Sequence, residues 1–126
     1  MKFRTASLLT LALALFSILA MLTPVKAVEG ANGKEIFERR CSGCHALDKN
    51  KEGPRLWGVY GRASGTVPEF EYSSALNTAH ITWDAATLDQ WLTDPEKLVP
   101  NNDMAFRLVK AGERAAIIGY LKSLTP

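Results

Sequence analysis

Cysteine, histidine and methionine are all scarce in this 126-residue chain: it has two, two and three of them, and two of the methionines, Met1 and Met21, lie in its first 27 residues. Two cysteines cannot build a disulfide-dense scaffold. An excess of one charge sign is also missing, since 15 Lys+Arg against 13 Asp+Glu give a net charge of +2, too weak for a nucleic-acid partner. No polar/apolar alternation runs long enough for a believable strand, which excludes a sheet protein. There is no internal repeat, no low-complexity segment and no length for a second domain. Neither a paired acid and base nor an activated nucleophile stands out, so the chain does not read as an enzyme. Its 47% hydrophobic and 22% charged content is that of a folded globular protein, not of a disordered or polytopic membrane chain.

The long apolar run that does exist is N-terminal. Lys2 and Arg4 precede Leu8 to Leu22, which only Thr10 and Ser17 interrupt, and Pro24 and Val25-Lys26-Ala27 follow. A charged start, an apolar run and a small-residue site define a secretory signal peptide, here residues 1–27, with cleavage after Ala27. The alternative is a retained anchor, because Ala6 to Leu22 sits at the lower edge of what spans a bilayer. Either reading predicts export, in a bacterium to the periplasm, with a membrane association only if residues 1–27 persist. The remaining domain, residues 28–126, carries 12 Lys+Arg and 13 Asp+Glu and is close to neutral. A domain of about 100 residues is marginal for a core made of side chains alone, so a bound group is expected.

Three segments carry helix signals. Asn32 and Glu35 form a capping pair that opens a helix from Gly33 to about Arg40. Asp84 is the N-cap of a second helix ending before Pro95, with Trp83 and Leu88 placed as a hydrophobic staple and Leu88, Trp91 and Leu92 on one face. The third runs from about Gly112 to Leu124, with Ile117, Ile118, Leu121 and Leu124 as its buried stripe. Residues 46–72, rich in glycine and proline, read as loops and turns, and residues 95–106 as an irregular, proline-bounded stretch.

Cys41-Ser42-Gly43-Cys44-His45 is the C-x-x-C-H arrangement of covalent haem attachment. Two cysteines three apart can reach two vinyl groups on one porphyrin edge, and the next residue is carried beneath the ring, where its imidazole meets the iron. A thioredoxin-like redox pair would call for a βαβ setting that is missing here. A zinc site would call for a second cysteine pair, and the domain has only one other histidine, His80. One covalent haem c, with His45 as the proximal ligand, is the expectation.

Met104 is the sole thioether of the domain and lies in the loop between the second and third helices, where a second axial ligand would approach. The other reading of Met104 is a core filler. His80, in a polar connection, competes for the same coordination position, but a lone loop histidine is more often simply solvated.

On these residues the chain resembles the class I cytochromes c, near the mitochondrial-type and bacterial c2 branch, over nearly all of residues 30–126. Gly33 and Phe37 match the glycine and aromatic of that family's N-terminal helix, and Ile117, Tyr120 and Leu121 match its C-terminal partner. The resemblance implies an all-α fold in which these two helices pack across each other and loops wrap one haem. It implies that Pro54, in Gly53-Pro54-Arg55-Leu56-Trp57-Gly58, accepts a hydrogen bond from His45 through its carbonyl. It further implies haem-propionate partners at Arg62, Tyr72 and Trp83. Trp91 stands where many relatives carry a tyrosine able to hydrogen-bond the methionine sulfur. The function implied is one-electron transfer with His45/Met104 ligation, by a monomer docking transiently with redox proteins. A haem subunit of a larger oxidoreductase, or a haem catalyst or sensor with a displaceable Met104, is the alternative. The family's Pro-Gly-Thr-Lys-Met loop is here Pro100-Asn101-Asn102-Asp103-Met104; Asn101 can supply the left-handed turn of the glycine, whereas Asp103 reverses a charge.

Overall fold

Helix α1, Glu29–Arg40, crosses α5, Ala111–Ser123, and this crossing is the main helix–helix contact of the computed structural model, which describes residues 29–125. Ile36 and Ile117, each 1% exposed, are among its most buried side chains, and Phe37 meets Tyr120 with ring centroids 5.9 Å apart. Gly33 lets the backbones approach: a Cβ there would collide with the Ala116 carbonyl oxygen and lie 2.7 Å from Tyr120 Cβ. Burial of each such Ile side chain contributes about 1.5–3 kcal/mol.

The helix begins earlier than the Asn32 cap predicts, and Asn32 lies inside it. Glu35, expected to reach back to Asn32, instead accepts from Arg39 one turn on at 2.8 Å. Burial of Ile36 and Phe37 against α5 outweighs a local capping preference.

Two four-residue helices correct the three-helix reading: α2, Ser74–Asn77, and α4, Pro95–Leu98. Ser73 caps the first through Leu76 N at 3.2 Å. In the second, Pro95 takes the first-turn position, where its missing N–H costs nothing, and Asp94 accepts from Lys97 N at 3.3 Å. Such short turns bury too little for a periodic pattern to announce them.

Between them α3, Ala85–Thr93, starts as expected at Asp84, whose carboxylate accepts from Thr87 N at 2.8 Å while Thr87 Oγ1 accepts from Asp84 N at 2.9 Å. Leu88, Trp91 and Leu92 are its buried face. In α5, Ile117, Ile118 and Leu121 are buried; Leu124, the residue that ends it, is only partly so. Arg114 joins α5 to α3 through Asp89 Oδ1 at 2.7 Å and holds the carbonyls of Leu108 and Val109.

Residues 41–73 form the loops. Among the described residues no strand occurs, only an isolated bridge between Ala63 and Thr82. Around it Trp83 N donates to Arg62 O at 2.9 Å and Gly61 N to Trp83 O at 2.7 Å, which brings Arg62 and Trp83 together. No helix among the described residues is long and apolar enough to cross a membrane. The leader expected at residues 1–27 lies outside the described residues.

A candidate haem site

The C-x-x-C-H segment continues the rail of α1. Cys41 N donates to Phe37 O at 2.9 Å, and His45 N to Cys41 O at 2.9 Å, so the segment coils tightly after the helix. Lys51 Nζ donates to the carbonyls of Ser42 and Gly43, satisfying acceptors that a helix end leaves open. Cys41 is half-buried, whereas Cys44 is exposed, with Glu52 Oε2 at 3.6 Å from its sulfur.

His45 Nδ1 lies 2.8 Å from Pro54 O. A carbonyl only accepts, so Nδ1 carries the hydrogen and Nε2 keeps its lone pair for a metal. Burial, partly offset by this hydrogen bond, pulls the imidazole pKa below its ordinary value, which favours the neutral form that ligates. Gly53 packs on the ring itself: a Cβ there would lie 2.6 Å from Nδ1 and 2.7 Å from Nε2. Only the lack of a side chain permits that approach.

Nine of the residues singled out in the sequence line one cavity of about 530 Å³: Cys41, Cys44, His45, Pro54, Arg62, Tyr72, Trp83, Trp91 and Met104. That volume is in the range of small-molecule and cofactor sites. Much of the wall between them is apolar, with Val59, Leu88, Leu92, Ile117 and Leu121 drawn from the core, Leu56 packed against it and Phe70 and Phe106 from the loops, while Arg40, Glu52, Glu71 and Asp103 add charge to the lining. His80 is exposed and is not part of the lining.

Trp91 Nε1 donates to Met104 Sδ at 3.1 Å. Arg62 donates to Trp57 O and Arg55 O, both at 3.1 Å, and so uses two of the guanidinium's five N–H groups. Burial lowers the Arg62 pKa and raises that of Tyr72, whose hydroxyl accepts from Val67 N at 3.3 Å. The donor set suits a planar, largely apolar group with a metal centre and carboxylate arms: an imidazole, a thioether, two thiols, and a guanidinium beside a phenol.

Burial pushes the Cys41 thiol up to about 11, so it stays protonated near neutral pH. Among the described residues no group of three or more His, Cys, Asp and Glu side chains is placed to hold a metal ion.

Residues 30–125 match the family model described as Cytochrome c. The chain is 46% identical over 99 residues to cytochrome c of Euglena viridis, covering 76% of this chain and 97% of that one. It is 44% identical to cytochrome c of Chlamydomonas reinhardtii, with 75% and 88% covered. Cytochrome cH from Methylobacterium extorquens superposes with a TM-score of 0.71 at 40% identity, covering 75% of this chain and 97% of that one. The chain belongs to the cytochrome c family, with the class I fold. It is a single-haem electron carrier, not an enzyme, and its cofactor is a covalently bound c-type haem.

Missing from the sequence reading are Gly53, Glu96 and Asn102. Gly53 is signalled only by its place before Pro54. Glu96 lies on the short helix α4 and Asn102 in the loop before Met104, where two consecutive asparagines mark a turn that hydrogen-bonds its own backbone.

Proposed function

We propose that this protein is an exported electron carrier whose haem is joined through Cys41 and Cys44 and ligated by His45 and Met104. The observation that supports the reading is that an imidazole and a thioether, each oriented by a hydrogen bond, line one largely apolar cavity. His45 is held by Pro54 O at 2.8 Å and Met104 by Trp91 Nε1 at 3.1 Å. The haem supplies a one-electron ferric/ferrous couple. The chain fixes both ligands, so that little rearranges between the two oxidation states, and the cavity's aliphatic walls exclude water. Arg62, Tyr72 and Trp83 serve the propionate arms, since a buried carboxylate needs donors. Pro54 and Gly53 set the imidazole plane and its tautomer.

Export to the periplasm is supported by the charged start and apolar run of residues 1–27. The protein acts as a monomer that docks transiently with a donor and an acceptor.

Two measurements test this. The haem should stay with the polypeptide through acid–acetone extraction, and its complete loss would defeat covalent attachment. Met104→Ala should abolish the long-wavelength iron–thioether absorption band, lower the potential and speed the binding of imidazole, while His80→Ala changes none of these. An unaltered Met104→Ala spectrum would reduce Met104 to packing.

A further inference from the structure

We propose that Glu96 and Asn102 form a clamp that positions Met104, so that the loop's own polar contacts deliver the thioether to the cavity. The inference rests on the reading of Met104 as an axial ligand.

Glu96 projects from α4 and is exposed. Its carboxylate accepts from Asn101 N at 3.0 and 3.1 Å, and its Oε2 also accepts from Asn102 Nδ2 at 3.3 Å. Asn102, half-buried, works in two directions. Its Nδ2 donates to the carbonyl of Val99, a core residue, at 2.9 Å, while its Oδ1 accepts from Met104 N at 2.7 Å. The main chain reverses between them through Asn101, whose φ of 64° asparagine tolerates better than most residues.

Met104 is thereby held twice, at its amide by Asn102 and at its sulfur by Trp91. The base of the loop is closed separately, by Arg107 on Asp94 at 3.0 Å and by Leu108 N on Leu92 O at 2.7 Å. The clamp therefore braces the interior of a loop whose ends are already tied. A competing ligand must displace the sulfur, and the brace resists because the loop has one arrangement in which all of its contacts are made. Without the brace the ordering entropy of the loop opposes ligation by Met104.

The test uses the ferric holoprotein and imidazole as the probe. Asn102→Ala should raise the apparent imidazole affinity roughly tenfold and Glu96→Ala roughly fivefold, as expected for losing hydrogen bonds to a neutral and to a partly solvated charged group. Glu96→Gln keeps an oxygen for Asn101 N and should stay within about twofold of the parent. Because Glu96 is exposed, its substitution does not disturb the core, and hydrogen exchange of the Met104 amide should quicken in both alanine variants. In a Met104→Ala background the Asn102→Ala effect on imidazole should vanish, a non-additivity that a general loss of stability would not produce. Persistence of the effect there would overturn the clamp. So would parent-like imidazole binding by both Asn102→Ala and Glu96→Ala in a protein that loses its thioether band on Met104→Ala. An unchanged spectrum in Met104→Ala itself would mean that the ligation reading had failed.

Discussion

Trp91 Nε1 stands 3.1 Å from Met104 Sδ, a hydrogen bond between the buried face of α3 and the loop that follows it. Where the resemblance to class I cytochromes c implies a phenol in many members, this chain offers an indole, whose N–H can only donate. The sulfur is oriented without an alternative acceptor role for its partner.

Trp91→Phe keeps an aromatic ring in the wall and removes the donor. A net hydrogen bond contributes about 1 kcal/mol, so imidazole should bind the ferric protein roughly fivefold more tightly and the iron–thioether band should weaken. Absorption titration of both proteins checks this. Equal affinities would make Trp91 a packing residue only.

Gly33→Ala sets two effects against each other. Helix propensity alone favours alanine by about 1 kcal/mol. Against this, the new methyl would meet the Ala116 carbonyl oxygen and approach Tyr120 Cβ to 2.7 Å, and the first of these is backbone that cannot step aside. Overpacking of this kind costs about 1–3 kcal/mol, so net destabilisation is expected. A lower denaturation midpoint with haem still attached would show it, whereas a rise would mean that the crossing of α1 and α5 is looser than described.

Much of the site is legible in the sequence because its chemistry is local. C-x-x-C-H is contiguous, and Met104 is identified by being the one methionine after residue 27. Asp84 announces α3 because an N-cap acts within a single turn. Gly33 and Gly53 are different: what fixes them is a close approach to Ala116 and to His45, contacts far away in sequence or across a loop, and only the family resemblance marks Gly33 in advance. Asn32 misleads for the same reason, since the packing of Ile36 and Phe37 decides where α1 lies. The clamp of Glu96 and Asn102 was hidden because α4 is too short to show periodicity.

Asp84 gives a pH signature. Hydrogen bonds from Thr87 hold its carboxyl below the ordinary carboxylate range. A group with a lowered native pKa adds stability that is fully present above its unfolded value and is lost as pH falls through the native one. Asp84→Asn retains an acceptor but does not titrate. The wild type should therefore be the more stable near neutral pH, and the gap should close as pH drops below about 4. Paired melts across that range measure it, and a constant gap would assign the cap to geometry without charge.

Charge placement predicts the choice of partner. Residues 63–103 hold seven acidic and one basic side chain, and Glu52, Glu71 and Asp103 line the cavity with Arg40 and Arg62. The resemblance to mitochondrial-type cytochromes c implies lysines in this region, which would steer a carrier toward acidic partners. Basic residues elsewhere could restore that steering, yet several are engaged within the chain. Arg39 pairs with Glu35, Arg40 with Glu113 and Arg107 with Asp94, and Lys51 is turned onto two carbonyls. The three guanidinium groups are partly cancelled at short range, as are Asp89 by Arg114 and Asp94 by Arg107, while Lys51 keeps its charge. What extends beyond a Debye length of about 8–10 Å is weak. The protein should therefore be a poor donor to an acidic-faced oxidase and prefer a neutral or basic docking face. Transfer to the acidic oxidase should be slow with little salt dependence, and Asp103→Lys should accelerate it at low ionic strength and make it salt-sensitive. Stopped-flow rates over a salt series decide the matter: fast wild-type transfer that slows steeply with salt and ignores Asp103→Lys would show that the remaining basic residues already steer the encounter.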